Sequence, residues 1–187
     1  MFSGYGKNFW VMSLAMLMFM ISFNLIIPEL NTFITLLDGA EYKGMIISLF
    51  KLSACISRPF SGKLSDTIGR KIVIMIGMGV TFIVSLLYPI SIGIGAFLLL
   101  RFLHGFSAGF LPTGATALIT DIIPADRRGQ AMGIWGTFIS LGIGIGQSLG
   151  SVIAGEFGIN SLFMFAAGSA AISGILISFV KETLHVR

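Results

Sequence analysis

Charge is scarce in this chain: Asp, Glu, Lys and Arg make up 11% of its 187 residues, against 55% hydrophobic residues. A soluble domain carries about a quarter of its residues charged, so too few polar side chains remain to cover a water-soluble globule. Cysteine is scarcer still. The single Cys55 excludes an internal disulfide framework and sits in an apolar run, where a small buried packing residue is expected. With two histidines and one cysteine no metal-ligating cluster can be assembled, and neither a metal nor a cofactor is expected. The net charge of +4 would suggest an anionic partner in a soluble protein. Here the cations fall in the connections between apolar runs, as membrane topology requires, and nucleic-acid binding is rejected.

Apolar length is what the chain has in abundance. A bilayer core ~30 Å thick takes ~20 apolar residues per helix. Six such runs are present, at about residues 8 to 36, 44 to 63, 71 to 91, 94 to 119, 129 to 154 and 159 to 180. They are apolar all round rather than alternating, which argues against barrel strands. The expected fold is an all-α membrane protein, with residues 1–187 forming one bundle of six transmembrane helices in a lipid bilayer. The first run, after Lys7, is too long for a signal-peptide core and has no A-x-A cleavage site, so it reads as a retained helix. The N-terminus, the even-numbered connections and the C-terminus hold Lys7, Lys63, Arg70, Lys71, Arg127, Arg128, Lys181 and Arg187, against Lys43 alone on the other side. The positive-inside rule then makes both termini cytoplasmic.

Between the second and third runs, Gly62-Lys63-Leu64-Ser65-Asp66-Thr67-Ile68-Gly69-Arg70-Lys71 packs three cations and a carboxylate into a tight turn at the membrane surface. Arg70, Lys71, Arg127 and Arg128 share that face with Asp66, Asp121 and Asp126, so ion pairs and helix-terminus dipoles can latch the inner helix ends as a gate. Glycine is patterned as well: Gly105 and Gly109 on the fourth run, and Gly142, Gly146 and Gly150 on the fifth, recur every four residues and allow close backbone approach.

Four motifs in order resemble the major facilitator superfamily. The first turn is similar to its G-x-L-x-D-x-x-G-R-[RK] signature through Gly62, Leu64, Asp66, Gly69, Arg70 and Lys71, with Thr67 where a basic residue is usual. Arg101 to Gly105 is similar to R-x-x-Q-G, with His104 for glutamine, and Asp121 to Gly129 resembles D-x-x-P-x-x-x-R-G. Gly142 to Ser151 resembles the G-x-x-x-G-P-x-x-G-G element of the antiporter branch, with Gln147 for proline and Ser151 for the last glycine. The resemblance implies the N-terminal half of a rocking carrier: two inverted three-helix repeats ending near Lys181-Glu182-Thr183, working with a C-terminal six-helix half or a second copy. It also implies a small-molecule substrate, with proton antiport and efflux preferred and a sugar-like symporter or uniporter as the alternative. Asp66 is implied to engage the opposite half in the closed gate.

Ionisable residues at membrane depth are functional hypotheses by default. Glu29, Lys51 and Arg101 are expected about two turns, ~10 Å, below the outer ends, at one level. Glu29 is the candidate proton-responsive carboxylate, with Arg101 as its partner, Asn24 as a hydrogen-bonding group for substrate, and His104 as a pH sensor or packing residue. Each has a blander alternative: Glu29 at the outer interface beside Pro28, Lys51 snorkelling outward and Arg58 inward. Gly105-Phe106-Ser107-Ala108-Gly109 formally matches the G-x-S-x-G elbow of serine hydrolases, but it lies inside a continuous apolar helix where no strand-to-helix turn is available. No catalytic residue is assigned, and a channel would need a ring of like charges that is not evident.

Overall fold

The computed structural model describes residues 5–184. His185 and Arg187, which the sequence assigns to the C-terminal tail, lie outside the described residues. The chain forms α1 (Lys7–Leu25), α2 (Leu30–Leu36), α3 (Lys43–Ile68), α4 (Arg70–Leu87), α5 (Gly93–Ile122), α6 (Arg128–Phe157) and α7 (Ile159–Ser178). Single 3-10 turns occupy Ala40–Tyr42, Tyr88–Ile90 and Ala125–Arg127, and among the described residues there is no strand.

Three features differ from the sequence expectation, each for a local reason. The first run is not one helix. Pro28 has no N–H to donate and its ring crowds the carbonyl four residues back, so α1 stops at Leu25 and the helix restarts at Leu30. The signature segment is mostly helix rather than loop: α3 continues through Gly62 and Asp66 to Ile68, and α4 begins at Arg70. Their connection is Gly69 alone, at φ 121° and ψ 148°, a conformation that a residue with a Cβ rarely adopts. Cys55 is exposed, because it lies on the face of α3 turned away from α5.

Five spans, α1 with α2, α4, α5, α6 and α7, are each long and apolar enough to cross a bilayer. The remaining long helix, α3, carries Lys51, Arg58, Lys63 and Asp66, all exposed, and buries Ile46, Phe50, Ser53, Ala54, Ser57, Ser61 and Ser65 on its other face. Large apolar side chains such as Ile56, Phe60, Leu149 and Val152 are exposed, as a hydrocarbon surround or a further helical partner permits.

Contacts between the helices show the repeat. α1 packs on α6 and α7, α5 packs on α3 and α4, and α4 meets α7. Exchanging the first three spans for the last three maps this pattern onto itself, as inverted repeats require. Two small-residue seams occupy equivalent places. On α5, a Cβ at Gly105 would run into the Phe50 carbonyl and one at Gly109 into Ser57 Oγ, both on α3. On α6, a Cβ at Gly142 would meet Leu17 and Met20, one at Gly146 would meet Ile21 and Asn24, and one at Gly150 would meet the Leu25 carbonyl. Serine hydroxyls stitch further contacts: Ser61 Oγ donates to Gly109 O at 2.8 Å, Ser22 Oγ to Ala166 O at 2.7 Å and Ser173 Oγ to Ala15 O at 2.6 Å. Two apolar clusters fill the bundle, one around Phe19, Leu111 and Trp135 toward the inner end, the end where both termini lie, and one around Phe33, Tyr88 and Phe163 toward the opposite, outer end.

The seams make a direct prediction. Gly146→Val forces a side chain into α1 and should destabilise the bundle by ~1–3 kcal/mol. Gly144→Val, on the same helix with nothing within 4 Å of its Cβ, should be close to neutral. Thermal unfolding followed by size-exclusion chromatography of the detergent-solubilised protein compares the two; equal losses would contradict the seam.

Candidate functional site

The buried polar groups of the outer half gather around Arg101 on α5, which is 2% exposed. Its Nη1 donates to Tyr88 Oη at 3.2 Å, and the Tyr88 hydroxyl lies 3.1 Å from His104 Nδ1. A guanidinium has no acceptor and a phenol has one proton. The assignment that satisfies all three therefore has Tyr88 accepting from Arg101 and donating to Nδ1, with the imidazole proton on Nε2. Neither that nitrogen nor Arg101 Nε finds a hydrogen-bond partner. The guanidinium stacks over Phe50 at 5.0 Å from the ring centroid.

Arg101 also borders a cavity of about 170 Å³ between α1, α2, α3 and α5, which Phe23, Phe50, Lys51 and Asn31 help to line. Lys51 is exposed, with its Nζ 5.9 Å from the Phe50 ring centroid. The structure thus brings Arg101, His104 and Lys51 to one region. Glu29 stands apart. It caps α2 just after the Pro28 break, half-buried, with its carbonyl accepting from Phe33 N at 2.8 Å. The expected Glu29–Arg101 ion pair is absent among the described residues: Glu29 sits at the α1–α2 break, and the guanidinium bonds the Tyr88 hydroxyl. Asn24 is buried against α6: its Nδ2 donates to Met20 O at 2.8 Å and its Oδ1 accepts from Gln147 Nε2 at 3.3 Å. That link uses the residue standing where the similar antiporter element has proline. Ser107 Oγ donates to the His104 carbonyl at 2.7 Å, within its own helix, so no nucleophile–base pair forms and the hydrolase motif has no geometry behind it.

At the inner end, α3 and α5 each finish near a carboxylate, Asp66 and Asp121, and a helix C-terminus disfavours negative charge. Arg70 answers both. Its Nη1 donates to Asp66 Oδ1 at 2.5 Å and to the Ser65 carbonyl at 2.6 Å, while Nε donates to Asp121 Oδ2 at 3.2 Å. The Arg70 side chain is 14% exposed, so this pairing is better shielded than an ordinary surface ion pair. Asp126 and Arg127 pair only loosely at 3.9 Å, both exposed, and Arg128 joins no ion pair among the described residues. Lys71 Nζ donates to Ser178 O at 2.7 Å, tying α4 to the end of α7.

Sequence reasoning missed two residues. Tyr88 is separated from Arg101 and His104 by a helix reversal, and only the hairpin itself juxtaposes them. Glu182 served in the sequence only as a boundary mark. Its carboxylate accepts the backbone N–H groups of Arg70 at 3.0 Å and Lys71 at 2.9 Å, at the N-terminus of α4, and also those of Thr183 and Leu184. Thr183 Oγ1 donates to Asp121 Oδ2 at 2.9 Å. Partial burial raises the Glu182 pKa, the four N–H donors lower it, and the donors prevail, leaving it below 4.5.

A carboxylate depressed on folding stabilises the fold above its unfolded pKa and loses that contribution as pH falls through the folded value. Glu182→Gln should therefore be less stable than the parent at pH 7. The difference should shrink as pH falls below the ordinary carboxylate range and disappear once Glu182 is protonated in the folded protein too, read from paired unfolding curves. Arg70→Lys cannot hold Ser65, Asp66 and Asp121 together and should cost ~1–2 kcal/mol in the same measurement.

The Major Facilitator Superfamily model matches residues 10–186. Multidrug resistance protein 2 of Bacillus subtilis (strain 168) is 34% identical over 164 residues, covering 87% of this chain and 41% of that protein. Quinolone resistance protein NorA of Staphylococcus aureus (strain Mu50) is 28% identical over 177 residues, covering 94% of this chain and 45% of that protein. The crystal structure of the human organic anion transporter MFSD10 (TETRAN) superposes with a TM-score of 0.81 at 23% identity, over 96% of this chain and 49% of that one. The chain thus spans about half the length of the curated relatives it matches. With the inverted-repeat contacts, the Gly69 turn and a family match across nearly every described residue, the chain belongs to the Major Facilitator Superfamily.

Proposed function

We propose that this chain is the N-terminal six-helix half of a secondary carrier that expels a small organic molecule in exchange for protons. The observation that carries the reading is the match over most of the chain to relatives named for multidrug and quinolone resistance, on a bundle with a buried arginine bordering a cavity. Catalysis of covalent chemistry has no part in it. The complementary six helices, or a second copy, would cover faces that this bundle leaves open: α6 buries only Ala131, Trp135, Gly142, Gly146 and Gly150, and α3 exposes Ile47, Leu52, Ile56 and Phe60.

In this reading the inner ends work as a gate. Arg70 holds α3 and α5 together through Asp66 and Asp121, and Asp66, 71% exposed, keeps a carboxylate oxygen available to the opposing half. Both termini are cytoplasmic, which puts the junction of Arg70, Asp121 and Glu182 on the inner face. Proton coupling is assigned to Glu29, at the break between α1 and α2: a protonation change there would shift a segment that has no continuous helix to resist it. The substrate side is assigned to Lys51 and Arg101, with His104 tuning the guanidinium through Tyr88, and Asn24 would reach substrate only by giving up its Gln147 bond to α6. The Gln147–Asn24 link, replacing the proline of the antiporter element, favours sugar-like symport as the second reading.

Everted vesicles containing this chain, alone and joined to a complementary six-helix half, decide between them. With an acid lumen, the joined protein should accumulate norfloxacin, a quinolone, and lose that accumulation with nigericin. Glu29→Gln should lower gradient-driven accumulation about tenfold or more while leaving substrate binding in place. Full gradient-driven transport by Glu29→Gln removes Glu29 from coupling, and accumulation of a sugar against an opposite gradient replaces antiport with symport.

A further inference from the structure

We propose that the cavity bordered by Arg101 and Lys51 is a subsite for an organic monoanion, which seats its acidic head between the two cations and its apolar body on Phe23, Ile27 and Ile46. As a substrate subsite it rests on the carrier reading above; as a binding site it stands on the geometry alone. Two cations line the cavity and no carboxylate does. The three ion pairs among the described residues all belong to the inner-face carboxylates Asp66, Asp121 and Asp126, so neither Arg101 nor Lys51 has an anionic partner there. A buried cation without a counter-charge is costly in a low-dielectric interior, and a ligand that supplies the charge recovers that cost on binding.

Arg101 is prepared for such a ligand. Tyr88 takes one guanidinium donor and Phe50 covers one face of the plane, which fixes its orientation. Nε, buried, has no hydrogen-bond partner. A planar guanidinium with free donors suits a carboxylate or sulfonate better than a neutral or cationic group. Lys51, exposed and on a flexible stem, supplies the second charge at the mouth. Asn31 adds a neutral amide to the lining.

Size narrows the class. At about 170 Å³ the cavity holds roughly six waters at ~30 Å³ each. It falls short of the ~300 Å³ at which drug-sized sites begin. The occupant is therefore an aromatic monocarboxylate, or the acidic end of a larger molecule whose remainder reaches out of this bundle. Aromatic walls at Phe23 and Phe50 suit a ring directly behind the acid.

The test uses the purified chain in phosphatidylcholine nanodiscs with radiolabelled benzoate, its neutral isostere benzamide and the cation benzylamine. Benzoate should bind saturably, and the other two about tenfold more weakly. Lys51→Gln should weaken benzoate about three- to tenfold without changing benzamide, and Lys51→Glu should abolish benzoate binding. Lys51 is exposed, so these variants keep the test intact if Arg101→Gln does not fold. Equal binding of benzoate and benzamide, or benzoate binding unchanged in Lys51→Glu, overturns the anion subsite. Vesicles that pump norfloxacin while Lys51→Glu leaves benzoate binding untouched would sink the subsite and keep the carrier. Charge-selective benzoate binding in a protein that moves nothing would keep the site and sink the carrier.

Discussion

Backbone-to-backbone approach between helices is what this bundle depends on. In hydrocarbon a helix gains little by hiding leucines against another helix, since lipid tails are as apolar as the side chains, and association rests on close packing and interhelical hydrogen bonds. Both are concentrated where small residues face one another: Gly105 and Gly109 against the serines of α3, and Gly142, Gly146 and Gly150 against α1. The two seams occupy equivalent places in the inverted repeats, so one packing solution is used twice. Serine hydroxyls donating to carbonyls of neighbouring helices add the polar part.

This scaffold separates two kinds of charge. At the inner face, cations and carboxylates neutralise one another and helix dipoles: Arg70 serves the C-terminal ends of α3 and α5, while Glu182 serves the N-terminal end of α4. One short junction thereby fastens three helix ends and the segment after α7. Within the outer half the balance is incomplete. Arg101 is fixed by a neutral phenol and an aromatic face, and its charge is left for something else to meet. The inner junction is held by paired charges and hydrogen bonds, whereas Arg101 beside the cavity keeps a buried Nε without a partner.

Much of this was legible in the sequence, because membrane insertion leaves strong signals. Run length revealed the six-span bundle, and the four-residue glycine periods revealed which helix faces touch. The Asp66–Arg70–Asp121 grouping followed from three residues on one side of the membrane. Other features depended on tertiary placement. Pro28 breaks a span whose composition alone reads as continuous, and Gly69 compresses a loop into one residue. Cys55 falls on the open face of a helix whose phase the run pattern did not specify. Tyr88 reaches Arg101 only because a hairpin returns the chain, and its hydroxyl takes the place that charge counting had given to Glu29. Glu182 acts through backbone N–H groups, which no side-chain pattern records.

The account stands on closure of the bundle between its first and last helices, where Ser22 and Ala166 meet across most of the chain's length. Copper-phenanthroline oxidation of a Ser22→Cys, Ala166→Cys pair, in a Cys55→Ser background with a protease site inserted at residues 125–127, measures that contact in native membranes. The account predicts that the cleaved protein runs as a single full-length species on a non-reducing gel, and that dithiothreitol separates it into two fragments. Two fragments that separate without reductant, while Ser22→Cys cross-links instead to cysteines placed on α3, would contradict it.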